Sequence, residues 1–596
     1  MAAAAAAAAA VLAGCATVPS GEAPQQVTTG GSQVQAYAQP LAPPGPRPRL
    51  APRQVVLGFL HASASYAVDP GAARQFLVPA LRKSWHPGPV TVVSSISPPT
   101  RVPVPPHATP YVEAENVDLT GQRLATLSAA GQYQYSPATR LYQFSLQLVR
   151  GVWLISELPQ ADQDSLLLMQ SDFEHMYQAR NLFFFARSPS PVNGKLVPDP
   201  VYAPVQSSES ALTINLASGL VKGLFEDQKG WLGSETKTSF PRGTKLLGIT
   251  ITGQTAVVNL GGAATRTDAL QWQEMAEQLQ ATLSSTAYSP ALARVVQLEI
   301  DGQPKFTNPH NLIYEVPTGK LIFVTADGAV ADGPGTGRLV LGPSELGPAD
   351  ITAVAVDPQY DTCPASKTSP CQVAVAAKDG RGCQVYRAFL PAGGPSSGQS
   401  APSYSSYRVS ASGGECTSLS WDSNGNLWAA AGHRIWVLPA FGRKFRLAGL
   451  PPNLGARPAI LALRMAPDAV RAALLVNTGG GAHLVLAAVR QEGNGLSLGT
   501  AVDLGTGLRD PRAMSWYSPY FLVVLDRAGI AEVPLTGGGG QQFGSAPAGA
   551  NSLATNGVTL AVGTAGGQIW VSNNLGSSWL KPQAGSLPGY LPSYPG

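Results

Sequence analysis

From Pro52 onward apolar residues recur at helical spacing, with Val55, Val56, Phe59, Leu60 and Ser63 on one face. A second, shorter helix is expected after Asp69-Pro70, carrying Ala73, Phe76 and Leu77. The period then drops to two. Strands are expected at Val90–Val93, Tyr111–Ala114, Leu124–Leu127, Tyr142–Leu148 and Val152–Ile155. Helices followed by antiparallel strands define a first α+β domain over residues 49–165. A second α+β domain, residues 171–305, opens on a strand at Asn181–Phe185. A helix capped by Ser207 or Ser208 follows, with Leu212, Leu216, Leu220 and Leu224 four apart. Strands at Leu246–Ile251 and Thr255–Leu260 flank a Thr252-Gly253-Gln254 turn. A helix capped by Thr267 then carries Trp272, Met275, Leu279 and Leu283, and the strand Val295–Ile300 runs into the turn Asp301-Gly302.

Residues 308–590 show no helical period. Short apolar strands alternate with Gly, Asn and Asp turns, most clearly from Thr417 to Leu438. Similar units begin near Ile351, Ile460, Ala513 and Ser552, and an earlier one holds Leu312-Ile313-Tyr314 and Leu321–Val324. Their spacing brackets a blade length of roughly 40 to 50 residues and predicts an all-β propeller of about six or seven blades. At the other end, residues 1–14 are apolar but shorter than the roughly 20 needed to span a bilayer, the length of a signal-peptide core. Residues 15–48, rich in Ala, Pro, Gly, Gln and Thr without periodicity, read as a flexible tether.

Composition agrees with turn-rich β structure: 64 Gly and 52 Pro among 596 residues, with only 13% charged. A net charge of +4, spread without a basic block, is too weak to argue for nucleic acid, and no such partner is expected. Cysteine usage is more informative. Cys15 follows Leu12-Ala13-Gly14, while Cys363, Cys371, Cys383 and Cys416 cluster in the C-terminal half. An even set in an exported chain suggests two disulfides; of the three pairings, Cys363 with Cys371 and Cys383 with Cys416 is favoured. No CxxC occurs and no histidine sits at ligand spacing, so neither a metal nor a cofactor is expected.

Candidate catalytic groups fail on their partners. Ser234-Glu235-Thr236-Lys237 matches S-x-x-K but lacks the accompanying S-D-N and K-T-G motifs. Gly537–Gly540 lacks the lysine and helix of a phosphate loop, and the seven histidines are scattered. No catalytic residue is assigned, and the chain is not expected to be an enzyme. Recurrent tryptophans, Trp421, Trp428, Trp436, Trp516 and Trp570, suit packing between blades.

Several stretches resemble known families. Leu12-Ala13-Gly14-Cys15 is similar to the lipobox of bacterial lipoproteins, which implies a signal peptide over residues 1–14, acylation of Cys15 and anchorage at the extracytoplasmic face of the cell membrane. The order of the first domain resembles the NTF2-like cone fold. Pro241–Gly248, Val257–Leu260 and Leu298–Gly302 look like a GerMN domain. With Gly14–Pro19, Asn181–Phe185 and Leu196–Tyr202, these residues resemble the actinobacterial LpqB lipoprotein family. That resemblance implies a lipobox, an N-terminal domain, a GerMN domain and a propeller. It also implies a partner, the extracytoplasmic sensor region of the histidine kinase of the MtrAB two-component system, linked to cell-wall homeostasis and division. Ser572–Trp579 resembles the Asp-box hairpin of propeller blades, with Asn574 in place of Asp. Two other readings stand beside this one: an envelope module binding peptidoglycan or glycan and, less favoured, a propeller hydrolase.

Overall fold

The computed structural model describes residues 44–596 except 67–68, 103–112, 161–164, 188–194, 205–209, 227–229, 333–337, 343–345, 347–349, 359–370, 380–381, 391–402, 410–414, 456, 494 and 581–588. The lipobox, Cys15, Cys363 and the proposed caps Ser207 and Ser208 lie outside the described residues.

In the first domain the helix Pro52–Ala64 starts on a proline, whose missing N–H costs nothing in the first turn. It buries Val55, Val56, Phe59 and Leu60 against a sheet. That sheet runs in the order Val152–Glu157, Tyr133–Val149, Ala114–Leu127, Val90–Ile96 and Leu166–Met169, the last pair parallel. The two strands expected at Tyr111–Ala114 and Leu124–Leu127 are replaced, within the described residues, by one strand of 14 residues, Ala114–Leu127. Gly121 in its middle makes no turn. A Cβ there would lie 2.7 Å from the Tyr142 ring, so the glycine admits a buried tyrosine from the next strand.

The second domain has two sheets. One runs Thr244–Thr252, Thr255–Gly262, Val295–Ile300, Gln303–Lys305; the other places Tyr177–Ala186 between Leu196–Pro204 and Thr236–Lys237. Thr255–Gly262 and Val295–Ile300 pair in parallel, and the helix Ala269–Ser284 crosses between them, burying Met275, Leu279 and Leu283. The cap of that helix is Asp268, not Thr267: Asp268 Oδ1 accepts from Gln271 N at 2.9 Å. Thr267 ends the preceding 3-10 turn, its hydroxyl donating to Ala264 O at 2.7 Å.

Within the described residues the C-terminal part is a propeller of six sheets. Its inner strands are Asp350–Val356, Cys416–Trp421, Ala459–Met465, Ala513–Trp516, Ala550–Thr555 and Gly589–Ser593, each packed on the next, with the last returning to the first. The ring closes by exchange along the chain: Gly589–Ser593 is the inner strand of the sheet whose other strands are Ile322–Thr325, Val330–Asp332 and Arg338–Leu341, counted as the first blade with the rest numbered in chain order. The expected strand at Leu312–Tyr314 belongs to no blade. Leu196 N donates to Leu312 O at 3.1 Å, and Leu312 and Ile313 cover Phe183, Phe185 and Leu196, so this apolar run serves the second domain.

Two local structures show how side chains hold propeller turns in place. In the hairpin after Ser572, Asn574 Oδ1 accepts from Ser578 N at 3.0 Å, and Gly576 takes φ 83° beneath Trp579. Asp422 accepts from the Asn424 and Asn426 amides at 2.9 Å each and from Trp428 Nε1 at 2.8 Å, which seats the fully buried indole.

Candidate functional site: a cleft above a three-domain junction

All three domains meet around Tyr202, on the strand Leu196–Pro204. Its ring packs on Phe173 at 4.9 Å and on Tyr133 at 5.8 Å, both in the core of the first domain, which takes in the helix Gln170–Met176 beyond its expected end at residue 165, and its hydroxyl donates to Gly537 O of the propeller at 3.4 Å. Gly537 has φ 75°, and a Cβ there would stand 2.8 Å from the Tyr133 ring. The glycine run that fails as a phosphate loop thus begins with a residue that lets a tyrosine of another domain lie on the backbone.

The first domain reaches the second through the turn Ser128–Gln132. Tyr202 N donates to Gly131 O at 2.7 Å, and Gly131, with φ 81°, brings its backbone so close that a Cβ would lie 2.5 Å from Tyr202 O. Beside it Gln132 Nε2 donates to Asp199 Oδ2 at 2.9 Å. Asp199 is fully buried, and burial raises its carboxyl to about 7 against the opposing pull of hydrogen bonds from Gln132 and Trp231 and of Arg471.

The second domain stands on the end of the ring that carries the turns between first and second strands. Tyr288 Oη donates to Tyr520 O at 2.8 Å, and Leu232 and Val197 pack on Val470 and Ala488. Lys195, 1% exposed, lies with its ammonium 3.8 Å from the Tyr314 ring centre; burial pushes its pKa down while Asp468 and Asp422 pull it up. At the ring axis on this end, a cavity of about 30 Å³ is lined by Val316, Trp516, Tyr594 and Arg464. That volume holds about one water and no sugar ring. Arg464 there is spent on Ser418 Oγ at 2.6 Å and the carbonyls of Leu463 and Leu419 at 3.0 and 3.1 Å.

Above the junction lies a cleft of about 910 Å³ between the first two domains. Val201, Tyr202 and Ala203 line it from the strand, the Ser128–Gln132 turn from the first domain, and Leu216 and Leu220 from the helix Ser210–Gly223. Its polar side chains lie mostly at the mouth: Gln134, Asn215, Lys222 and Glu226 are exposed, Ser128 is half-buried, and Gln132 is buried. A large, mainly apolar concavity with a few polar groups is the usual form of a binding site. Gly219 faces open space on the same helix, where a Cβ would meet nothing within 4 Å.

The residues singled out in the sequence lie elsewhere. Cys383 and Cys416 are joined, with Cα atoms 5.5 Å apart, and tie the third strand of one blade to the inner strand of the next. Cys371 begins the strand Cys371–Asp379, and its expected partner Cys363 lies outside the described residues. Among the described residues no group of three or more His, Cys, Asp or Glu could hold a metal, and no helix is long and apolar enough to cross a membrane.

Three domain families match consecutive parts of the chain: the N-terminal domain of lipoprotein LpqB over residues 45–174, the Germane domain of sporulation and spore germination over 181–306, and the LpqB β-propeller domain over 399–595. The chain belongs to the LpqB lipoprotein family. Lipoprotein LpqB of Thermobifida fusca is 28% identical over 448 residues, 70% of this chain and 64% of that one. The chain thus spans just under two thirds of that relative. LpqB of Streptomyces avermitilis is 28% identical over 588 residues, 92% of this chain and 89% of that one. Among solved structures, the nidogen/laminin complex covers 46% of this chain and 97% of the matched chain at 11% identity and TM-score 0.29. Membership in LpqB accounts for the domain order; the junction and the cleft are visible only in three dimensions.

Proposed function

We propose that this LpqB family member is anchored through lipid on Cys15 to the extracytoplasmic face of the cell membrane. There it binds the sensor region of a histidine kinase, the MtrB kinase paired with the MtrA regulator, and modulates signalling in cell-wall homeostasis and division. The observation that carries the reading is the cleft between the first two domains, an apolar concavity of about 910 Å³ on a body fixed at one junction, on the domains nearest the anchor. Confinement to the membrane plane raises the effective concentration of such a surface toward a membrane partner. A cleft of this size accepts a helix or extended segment from a partner domain.

The test fills the cleft. Gly219→Trp places an indole in open space without crowding the fold. In membranes, photocrosslinking from the parent cleft recovers the kinase, and Gly219→Trp loses that product while keeping the parent melting temperature. Capture of purified cell wall by the parent cleft, with no kinase crosslink, replaces this reading with that of a glycan-binding envelope module.

A further inference from the structure

We infer that the turn Pro439–Phe445 of the third blade is a second membrane contact, an aromatic wedge flanked by cations that docks on an anionic lipid surface. Phe441 is 101% exposed, its whole ring in water. The turn beneath it is fixed: Gly442 N donates to Pro439 O at 2.8 Å, Ala440 N donates to Asn426 Oδ1 at 3.1 Å, and Phe445 is buried with its ring edge-on to Tyr407 at 6.3 Å. The backbone of the turn is thus held by its own hydrogen bonds while the ring it carries stays wholly in solvent, free to meet an apolar surface.

Charge identifies the occupant. From Pro439 to Leu450 the chain carries Arg443, Lys444 and Arg446 and no acidic residue. Arg443 and Lys444 are exposed, and on the outermost strand, Arg446–Ala448, Leu447 is 54% exposed. Aromatic and aliphatic groups beside lysine and arginine suit the headgroup boundary, where the ring enters the acyl edge and the cations meet lipid phosphates. Phe306 is as exposed, but Glu299 and Asp301 lie in the same hairpin, and the Lys305 ammonium rests 4.7 Å from the Trp272 ring centre.

Position agrees with charge. Through Asn426 the Phe441 turn is joined to the turn between the first and second strands of its blade, and Asp422 of that turn acts on Lys195 of the second domain. The wedge therefore sits at the end of the ring that carries the second domain. The contact is edgewise, along the outer rim of the third blade. The inference leans on the lipoprotein reading only to bring the protein to a membrane, so its test dispenses with the lipid.

The full chain carrying Cys15→Ser is sedimented with vesicles of phosphatidylcholine alone and with vesicles containing phosphatidylglycerol. Each variant is compared in that same background, so any contribution of residues 1–14 is common to all. Binding to the anionic vesicles falls roughly tenfold in Phe441→Ser/Arg443→Gln/Lys444→Gln, and Phe441→Trp retains it. Unchanged melting temperatures show that the exposed turn was altered without loss of fold. Equal binding of the triple variant and the parent overturns the inference. So does a parent that ignores the anionic lipid, or one that prefers an anionic wall polymer to vesicles and loses that preference in the triple variant. Palmitate labelling, compared between the natural chain and Cys15→Ser, tests the lipoprotein reading separately.

Discussion

Two seams hold this molecule together, and they are made differently. The seam that closes the ring is a strand pairing: Gly589–Ser593 lies antiparallel to Ile322–Thr325, and its register needs no charged side chain. The seam that holds the small domains on the ring depends on particular groups: the Tyr202 ring, the Tyr288 hydroxyl, the backbone of Gly537 and, next to it, the buried carboxyl of Asp199. A ladder of backbone bonds is set by topology and tolerates many sequences, whereas a junction of buried polar and aromatic groups is sensitive to each member.

The largest effect is expected at the closing seam. A chain stopped before Gly589 removes the inner strand of one blade and exposes the strands on both sides. Calorimetry should show loss of the cooperative propeller transition, with near-ultraviolet signal from Trp421, Trp428 and Trp516 collapsing. A truncated chain that melted like the parent would put the closing seam on the same footing as the other.

The docking seam should respond to pH. Asp199 is raised to about 7 by burial, well above the ~3.9 of an unfolded chain, so the native protein holds a proton that the unfolded chain releases. That stability is complete below about pH 4, is lost as pH rises toward 7 and stays lost above it, with a ceiling of ~4 kcal/mol. Glu532, on the third strand of the fifth blade, is raised to about 7 by burial as well. Denaturant unfolding between pH 4 and 8 should therefore flatten in part in Asp199→Asn, leaving the share of Glu532 and of the other carboxyls that burial raises, Asp172, Glu315 and Asp422. An unaltered slope would mean that the junction does not carry the titration. The smallest effect falls on one bond: Tyr288→Phe removes the donor to Tyr520 O, and a loss of about 1 kcal/mol in unfolding free energy is expected.

What the sequence discloses follows the same division. Inner strands starting near Ile351, Ile460 and Ala513 are legible because apolar runs bounded by turn residues are local signals, and the structure starts them at Asp350, Ala459 and Ala513. Gly589–Ser593, with Pro588 before it, Pro592 within it and no alternation, gives no local sign that it completes a blade begun more than two hundred residues earlier. Gly121 falls between the two strands expected at Tyr111–Ala114 and Leu124–Leu127; only the Tyr142 ring shows why it sits within a single one. The cleft and junction are illegible for the same reason. Tyr202 and Gly537 are 335 residues apart, and nothing in either neighbourhood points to the other. The lipobox, by contrast, is a purely local motif, and it lies outside the described residues.

The exchange of strands at the closing seam also sets an order in time. Polypeptides are made from the amino terminus, so the first two domains have every strand they need while the ring still lacks one. Until Gly589–Ser593 arrives, the sheet from Ile322 to Leu341 stands with an open inner edge, an invitation to pair with a neighbouring chain. The last strand to appear is the one that withdraws it, so the interval before its arrival is when this protein is most exposed to misassembly.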